Sequence, residues 1–399
     1  MPAIPPPPVP TQLIVFADDW GRHPSSSQHL IRELLPQYPT LWVNTVGTRW
    51  PSLSVADIRK GLRKLKEMID TPDDVGESLP EGLRVIQPVM YPGFRKRWQR
   101  RINRHQVKRT ILDALNQTFT TAPRFGNKSD PPRRVAITTL PITADLVGMP
   151  GIDRWVYYCV DDYSQWPGTD HAVMDAMERE LASKVDAAVA VSDALIERLA
   201  SFGVPAGRLD HGVDLDAWST PNVQTRLPES WPDERKPIAL FWGLIDSRTE
   251  HAWVNQLADV GGCAVVMAGP HTHDCSPSLW SYANMLGPVD QHDLPAYAAA
   301  SDVLIMPYID APVTRAMQPL KLKEYLATMK PVVVRDLPST RPWADCCDLA
   351  ISPGGFTDLV RQRAGTGILP EQRAARERRL PAESWSAKAA QLAELINAG

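Results

Sequence analysis

Short apolar runs alternate with longer amphipathic stretches along most of the chain. The runs are rich in Val, Ile and aromatic residues, as is typical of strands that are buried on both faces of a parallel sheet. In the first half we predict strands at 13–17, 41–46, 84–90, 135–140, 155–160 and 187–191. A second series follows at 238–242, 263–268, 282–286, 303–306 and 331–334. Because helical stretches separate most of these runs, the pattern predicts two doubly wound α/β domains in tandem.

The length of the chain agrees with two domains, since 399 residues exceed what one hydrophobic core usually serves. A segment without a clear period lies between the two series of strands and predicts a linker. The predicted organisation is a disordered proline-rich N-terminus at 1–10, an N-terminal Rossmann-like domain at 11–220, a linker at 221–237, a C-terminal Rossmann-like domain at 238–380 and a C-terminal helix at 381–399. This last helix is expected to pack back toward the N-terminal domain, because its apolar residues share one face.

Composition places the chain among ordinary globular proteins, with 43% hydrophobic and 22% charged residues. The formal net charge of −3 gives no global argument for nucleic-acid binding. Five cysteines, an odd number without CxxC spacing, argue against a disulfide framework and against a zinc site. The N-terminus lacks the pattern of a signal peptide, and no stretch approaches the roughly 18 apolar residues of a membrane span. We therefore expect a cytoplasmic protein.

Polar residues follow the first and fifth predicted strands, where ligands of open parallel sheets bind. Asp18, His23, Ser25 and Ser26 lie between the first strand and the next helix, and Asp162 follows the fifth strand. These residues are candidates for a ligand site, although a serine-capped helix start would look the same. Neither Asp pair in these loops has the Asp-x-Asp spacing that aims two carboxylates at one ion, so we predict no metal site.

The most specific motif lies in the second half, where PLKLKEYLA at 319–327 is followed by KPVVV at 330–334. Two other stretches accompany it: YCVDDYS at 158–164, and HGVD at 211–214. Together these motifs resemble those of family-4-type GT-B glycosyltransferases. The resemblance implies an α/β GT-B fold, in which two Rossmann-like domains face a central cleft.

The resemblance also implies an activity. Members of this family move a sugar from a nucleotide-diphosphate sugar, UDP- or GDP-linked, to an acceptor, usually with retention of configuration and without a metal or other cofactor. The C-terminal domain would bind the nucleotide-sugar. The N-terminal domain would bind the acceptor, with these candidate residues: Asp18, His23, Ser25, Ser26 and Asp162. A glycan or lipid-linked acceptor, in cell-surface or exopolysaccharide synthesis, is the expected partner.

The physical chemistry of the 319–327 motif agrees with donor binding. Pro319 suits a first helical turn, and the free amides near Leu320 and Lys321 can bind a diphosphate. Lys321 adds a positive charge, and Arg315 is a candidate for a second one. Glu324 lies one turn further on nearly the same face, and the family's corresponding Glu accepts hydrogen bonds from the ribose hydroxyls.

Other donor contacts are predicted from loops that follow strands. Gly243 allows close approach of a ligand, and Arg248 is expected to neutralise phosphate. Many relatives carry a Lys where this chain has Trp253, so one phosphate cation is missing or is supplied by Lys321 or Arg315. Three further loop residues either wall the base or form simple turns: Gly269, Gly287 and Val289.

One position departs from the family pattern in a way that affects activity. Family members often carry two glutamates eight residues apart, and the first of these positions is Ala316 here. A non-catalytic protein that binds a nucleotide-sugar, or a GT-B nucleotide-sugar epimerase, are therefore the alternatives. A Rossmann dehydrogenase is disfavoured, because no GxGxxG follows a strand.

A basic segment at 93–109 contains no acidic residue. Phe94, Trp98, Ile102 and Val107 interleave with its cations, as in helices that lie on anionic membranes. We therefore predict contact with an anionic membrane surface and a peripheral location on its inner face. A solvated charged face is the alternative, and nucleic acid is disfavoured because no recognition motif is present.

Overall fold

The computed structural model describes residues 4–21, 25–44, 79–118, 131–165, 169–219, 225–232, 236–272, 275, 280, 282–316 and 320–398. The chain divides into two compact units. The N-terminal unit comprises Pro2–Asp210 with Lys388–Gly399, and the C-terminal unit comprises His211–Ala387.

The described strands of the N-terminal unit form one parallel sheet. They are β1 (Thr11–Ala17), β2 (Thr40–Asn44), β3 (Leu83–Ile86), β4 (Arg133–Thr138), β5 (Arg154–Cys159), β6 (Ala187–Ala190) and β7 (Gly207–Arg208). Their order is β3-β2-β1-β4-β5-β6-β7. All seven residues of the central strand β1 are buried, as expected for a strand with both faces covered.

Helices connect these strands, and side chains cap several of them. They are α1 (Ser26–Leu34), α2 (Arg97–Thr118), α3 (His171–Ala182) and α4 (Asp193–Ser201). Ser25, Asp170 and Ser192 are the N-caps of α1, α3 and α4, and each side chain accepts a hydrogen bond from a free amide of the first turn.

The C-terminal unit has a second parallel sheet. Its described strands are β8 (Ile238–Trp242), β9 (Ala264–Ala268), β10 (Asn284–Gly287), β11 (Val303–Met306), β12 (Val332–Arg335) and β13 (Asp348–Ala350). The order β10-β9-β8-β11-β12-β13 reverses direction beside β8. Such a reversal is the point where ligands bind in open α/β sheets.

Helices of the C-terminal unit follow most of its strands. They are α5 (Leu215–Ser219), α6 (His251–Val260), α7 (Leu294–Ala299), α8 (Pro312–Ala316), α9 (Leu320–Ala327), α10 (Pro353–Thr366) and α11 (Pro370–Arg379). Apolar residues of the strands, of α6, α9 and α10 form one buried core.

The last helix, α12 (Trp385–Asn397), joins the N-terminal unit from Lys388 onward. Lys388 Nζ donates to Asp210 Oδ1 at 2.7 Å, and Arg133 Nη1 donates to the Ile396 carbonyl at 3.0 Å. These polar contacts and the buried apolar face of α12 both fix the helix to the N-terminal unit.

Residues 4–10 differ from the disordered N-terminus that the prolines predicted. Gln37 Nε2 donates to the Ile4 carbonyl at 3.1 Å, and the Tyr38 hydroxyl donates to the Pro5 carbonyl at 3.0 Å. A proline run keeps its carbonyl acceptors although it lacks N–H donors, so side chains can fix it.

The predicted two-domain α/β class, with two parallel sheets and interleaved helices, is confirmed. The predicted strand at 84–90 is too long, because Pro88 cannot donate to a ladder and β3 ends at Ile86. Residues 45 and 46 of another predicted strand lie outside the described residues.

Candidate functional site

The end of β8 meets the start of α9 in the C-terminal unit. Gly243 follows β8 with a φ of +125°, a conformation that favours glycine. A β-carbon at this position would lie 2.1 Å from Lys321 Nζ and 2.5 Å from its Cε, so a side chain here would collide with the lysine. Gly243 therefore lets Lys321 reach the end of β8.

Aromatic groups hold the Lys321 ammonium. Its Nζ donates to the Tyr308 hydroxyl at 2.7 Å and lies 4.7 Å from the ring centroid of Phe241. A cation over an aromatic face is stabilised by the charge distribution of the ring. The sequence motif thus places its first lysine beside the carboxyl end of a strand.

Glu324 lies one turn further and is only partly exposed. Its Oε2 accepts a hydrogen bond from Trp242 Nε1 at 3.2 Å. Burial raises the pKa of this carboxyl, while the Trp242 hydrogen bond and the charge of Lys321 act in the opposite direction. Lys321 and Glu324 therefore meet at the same strand end, a positive and a negative group within one helical turn.

Loops after β8, β9 and β10 stack closely through glycines. Gly243 N donates to the Ala268 carbonyl at 2.8 Å, and Gly269 N donates to the Gly287 carbonyl at 2.7 Å. A β-carbon at Gly269 would lie 2.1 Å from the Gly243 carbonyl oxygen. Val289 is half-buried against the core of this unit. The glycines therefore let these three loops pack backbone against backbone.

The two predicted arginines are engaged by carboxylates. Arg248 Nη2 lies 2.7 Å from Asp246 Oδ2, and Arg315 Nε lies 2.5 Å from Asp310 Oδ1. The Asp310 partner raises the pKa of Arg315, which is exposed. Either arginine would have to exchange its carboxylate for a phosphate in order to bind one.

Trp253 is buried at the start of α6, and the Arg335 guanidinium lies 4.4 Å from its ring centroid. Arg335 also lies near Glu250, with Nη1 and Oε2 3.6 Å apart. The sequence interpretation did not include Arg335, although it directly follows a predicted strand.

Several predicted site residues lie outside the described residues or next to a gap in them. Pro319 and His23 lie outside the described residues. Leu320 begins α9 and is half-buried, and Ala316 ends α8. The geometry of the site thus depends on Lys321 and Glu324 rather than on the residues before them.

The acceptor-side candidates of the N-terminal unit have local partners. Ser25 caps α1, with its Oγ 3.4 Å from Gln28 N. Ser26 is buried, and so is Tyr158, whose pKa is raised by burial. Asp18 is exposed after β1.

Asp162 accepts hydrogen bonds from the backbone and side chain of Ser164, at 3.0 and 2.5 Å. Its Oδ2 also lies 3.7 Å from Arg198 Nη1. These contacts are those of a residue that shapes its loop. Among the described residues, no three or more His, Cys, Asp and Glu side chains are grouped as metal ligands would be.

The basic segment forms the start of α2, and its two faces differ. Trp98 and Ile102 are 46% and 40% exposed, with exposed arginines between and after them. Val107 is buried in the core of the unit, so its inclusion among the surface residues was wrong. Arg100 also belongs to the inward face of the helix, since it forms an ion pair with Asp145, with Nε and Oδ2 2.7 Å apart.

Residues that the sequence interpretation missed include Trp242 and Tyr308, the hydrogen-bonding partners of Glu324 and Lys321. Trp242 is the last residue of a predicted strand, and Tyr308 lies two positions after the strand predicted at 303–306. Attention to the aromatic residue at each strand end could have identified both.

No protein-family model matches the chain. A segment of 54 residues is 50% identical to TuaH of Bacillus subtilis (strain 168), a protein assigned by name to teichuronic acid biosynthesis as a glycosyltransferase. The segment covers 14% of this chain and 14% of TuaH.

Solved structures resemble the chain over nearly its whole length. Sucrose-phosphate synthase from Thermosynechococcus elongatus is 14% identical with a TM-score of 0.62, covering 97% of this chain and 98% of that one. HepE from Anabaena, in complex with UDP and glucose, is 11% identical with a TM-score of 0.59, covering 98% and 100%. An α,α-trehalose-phosphate synthase (UDP-forming) from Burkholderia vietnamiensis is 11% identical with a TM-score of 0.59, covering 97% of each chain.

These likenesses define the fold class. The chain has the GT-B fold, as the sequence motifs predicted. Within the part of the chain that is described, no helix combines the length and apolar character needed to cross a membrane.

Proposed function

We propose that the protein is a glycosyltransferase, of the hexosyltransferase kind, that takes a sugar from a nucleotide-diphosphate sugar. The observation that carries this proposal is the meeting of Lys321 and Glu324 at the end of β8, where Gly243 leaves room for the lysine side chain. A diphosphate needs a cation and free amides, and a ribose needs a fixed acceptor for its hydroxyls. One helix start supplies all of these.

In the proposed binding mode, the diphosphate lies at the amino end of α9. The amides of Leu320 and Lys321 donate to it, and Lys321 Nζ adds a positive charge. Glu324 accepts hydrogen bonds from the ribose hydroxyls with the oxygen that Trp242 leaves open. A β-carbon at Gly287 would meet no atom within 4 Å, so the nucleotide can approach the backbone there, and Gly269, Gly287 and Val289 wall the base. The HepE complex with UDP and glucose supports a UDP-sugar as donor.

The proposed chemistry relies on positioning and on charge stabilisation. Negative charge develops on the diphosphate as the glycosidic bond breaks, and Lys321 stabilises that charge. Arg248 contributes when it exchanges Asp246 for a phosphate oxygen. We propose transfer with retention and without a metal ion, and we assign no general base.

The proposed acceptor is a glycan or a lipid-linked saccharide used in cell-surface or exopolysaccharide synthesis. TuaH, with its segment of 50% identity, supports a polymer of this class. The exposed face of α2 supports an acceptor at a membrane, since Trp98 and Ile102 emerge among arginines there. Such a face combines apolar insertion with attraction to anionic headgroups.

The membrane contact is tested by sedimentation with vesicles of phosphatidylcholine, with and without phosphatidylglycerol. We expect binding only to the anionic vesicles and a loss of binding in the double variant Trp98→Ala, Ile102→Ala. Arg109→Ala alone should weaken binding only about fivefold, because one exposed charge near an anionic surface contributes about 1 kcal/mol. Equal binding by the wild type and the double variant would contradict this contact.

The proposed activity is tested by donor turnover. A thermal-shift screen of UDP-, GDP- and other nucleotide-sugars identifies the donor, because a ligand that binds only the folded state raises the melting temperature. Release of free nucleotide from that donor, with water or an added saccharide as acceptor, then measures transfer. We expect release by the wild type and at least a tenfold loss in Lys321→Ala, about 1.4 kcal/mol of lost charge stabilisation. Donor binding without any release would instead establish the non-catalytic alternative.

A further inference from the structure

We infer that Trp242 is a positioning residue for Glu324, and that its indole N–H makes the site select ribonucleotides over 2′-deoxyribonucleotides. This inference rests on the proposed function, because it concerns the nucleotide of the same donor. Trp242 touches the protein rather than the sugar, so its effect passes through the carboxylate.

The hydrogen bond from Trp242 gives the two carboxylate oxygens of Glu324 different roles. Trp242 Nε1 donates to Glu324 Oε2 at 3.2 Å, which leaves Oε1 as the oxygen that can face a ligand. A Glu side chain has several rotatable bonds, and a partner that fixes one oxygen also fixes the direction of the other. The ribose then meets an acceptor that is already oriented.

Two aromatic rings hold the indole, and a backbone hydrogen bond fixes the residue, so that the indole N–H has a fixed direction. Its ring stacks on Trp218 at 5.1 Å between centroids and 5° between planes. Tyr325 packs against it edge-on at 4.1 Å, and the Tyr325 hydroxyl accepts a hydrogen bond from Trp242 N at 3.1 Å. Trp242 is 2% exposed, so water does not compete for its N–H.

The charge state of Glu324 supports the same role. Burial raises the pKa of Glu324, and the Trp242 hydrogen bond lowers it, so the indole helps to keep the carboxylate ionised. An ionised carboxylate is an acceptor only, which is what two ribose hydroxyls require. Loss of the indole N–H would therefore weaken both the orientation and the ionisation of Glu324.

The test compares the dissociation constants of a ribonucleoside diphosphate and its 2′-deoxy form. UDP and GDP are titrated first by calorimetry, and the one that binds is paired with 2′-deoxy-UDP or 2′-deoxy-GDP. We expect the wild type to prefer the ribonucleotide and Trp242→Phe to reduce that preference by about fivefold, the effect of one net hydrogen bond. In a Glu324→Gln background, Trp242→Phe should have no further effect on the preference.

The matched control is Trp280→Phe, in the same unit. Trp280 is also 2% exposed, and its Nε1 has no hydrogen-bond partner among the described residues. This variant should keep the wild-type preference while it loses a comparable buried ring. If Trp242→Phe does not fold, Trp218→Leu takes its place. This variant keeps the indole N–H of Trp242 but removes the Trp218 ring that stacks on it, and it should also reduce the preference.

The outcomes separate this inference from the proposed function. A preference that is unchanged in a folded Trp242→Phe protein, or an equal loss in Trp280→Phe, would overturn the inference while nucleotide binding stands. A wild type that binds UDP and 2′-deoxy-UDP equally would also overturn it. A wild type that binds neither UDP nor GDP would refute the proposed function and the inference together.

Discussion

Two kinds of charged side chain lie close together in α9: one that is paired within the protein, and two that contact aromatic groups at the end of a strand. Lys323, the neighbour of Glu324, is 2% exposed and forms an ion pair with Glu383. Lys321 and Glu324 instead lie where a strand ends, in contact with aromatic groups. A cation and a carboxylate held by neutral partners can still change partners when a ligand arrives.

The raised pKa of Glu324 predicts a pH dependence of nucleotide binding. The carboxylate is the form that accepts hydrogen bonds from ribose, and burial raises the pKa of the folded protein above the ordinary carboxyl value. Affinity should therefore be highest above this raised pKa and should fall as the pH drops through it. Calorimetric titrations of UDP or GDP from pH 7.5 downward measure the fall.

The control for this titration is Glu324→Gln, which should bind more weakly at neutral pH and should lack the acid-side decrease. A wild-type profile that matches that of Glu324→Gln would show that another group titrates. The same ionisation acts on stability with the opposite sign: a raised folded pKa favours the protonated native state, so this group contributes less stability above its unfolded pKa.

The sequence predicts Lys321 and Glu324 because they share one helical turn of a specific motif. Their partners are harder to predict, since Trp242 and Glu324 are 82 positions apart in the chain. Arg248 was predicted from its loop, but its bidentate contact with Asp246 depends on a turn geometry that the residue types alone do not determine.

At the scale of elements, α9 is short, and its surroundings stabilise it. Helices of eight residues are marginal on their own, so most of their stability comes from tertiary contacts. Arg376 of α11 is fully buried and donates to the carbonyls of Lys330 and Cys346, at 2.7 and 2.8 Å. Burial lowers the pKa of this guanidinium to about 10. Arg376 therefore ties α11 to the chain that follows α9.

We predict that Arg376→Ala lowers the free energy of unfolding by about 3 kcal/mol, because several buried carbonyls lose their donor. Urea denaturation followed by far-ultraviolet circular dichroism measures the change. Arg373→Ala, at an exposed position of the same helix, is the matched control and should stay within about 0.5 kcal/mol of the wild type. Equal stability of the two variants would contradict a structural role for Arg376.

Some elements are well predicted by sequence, and others are not. The strands β8 and β11 have the predicted bounds, because runs of large apolar residues buried on both faces leave little ambiguity. The two-residue strand β7 has no pattern to detect. The helix α11, with the sequence PEQRAARERR, was missed because it has few apolar residues, and its core-facing side includes Arg376 and Gln372.

At the scale of the whole molecule, two tandem α/β units reproduce a fold that is shared with proteins of very different sequence. Sucrose-phosphate synthase is 14% identical to the chain at a TM-score of 0.62. The alternation of buried strands and amphipathic helices was enough to predict two tandem α/β domains, and the resemblance of the motifs to a known family implied the GT-B fold. The acceptor was not predictable, since its recognition depends on loops rather than on that pattern.

The most direct test of the account is a crystal structure with the nucleoside diphosphate that the thermal-shift screen selects. We predict a diphosphate within hydrogen-bond distance of the Leu320 and Lys321 amides and of Lys321 Nζ, with the ribose hydroxyls on Glu324 Oε1. A nucleotide bound elsewhere on the protein, with no contact between Glu324 and the ribose, would contradict the account.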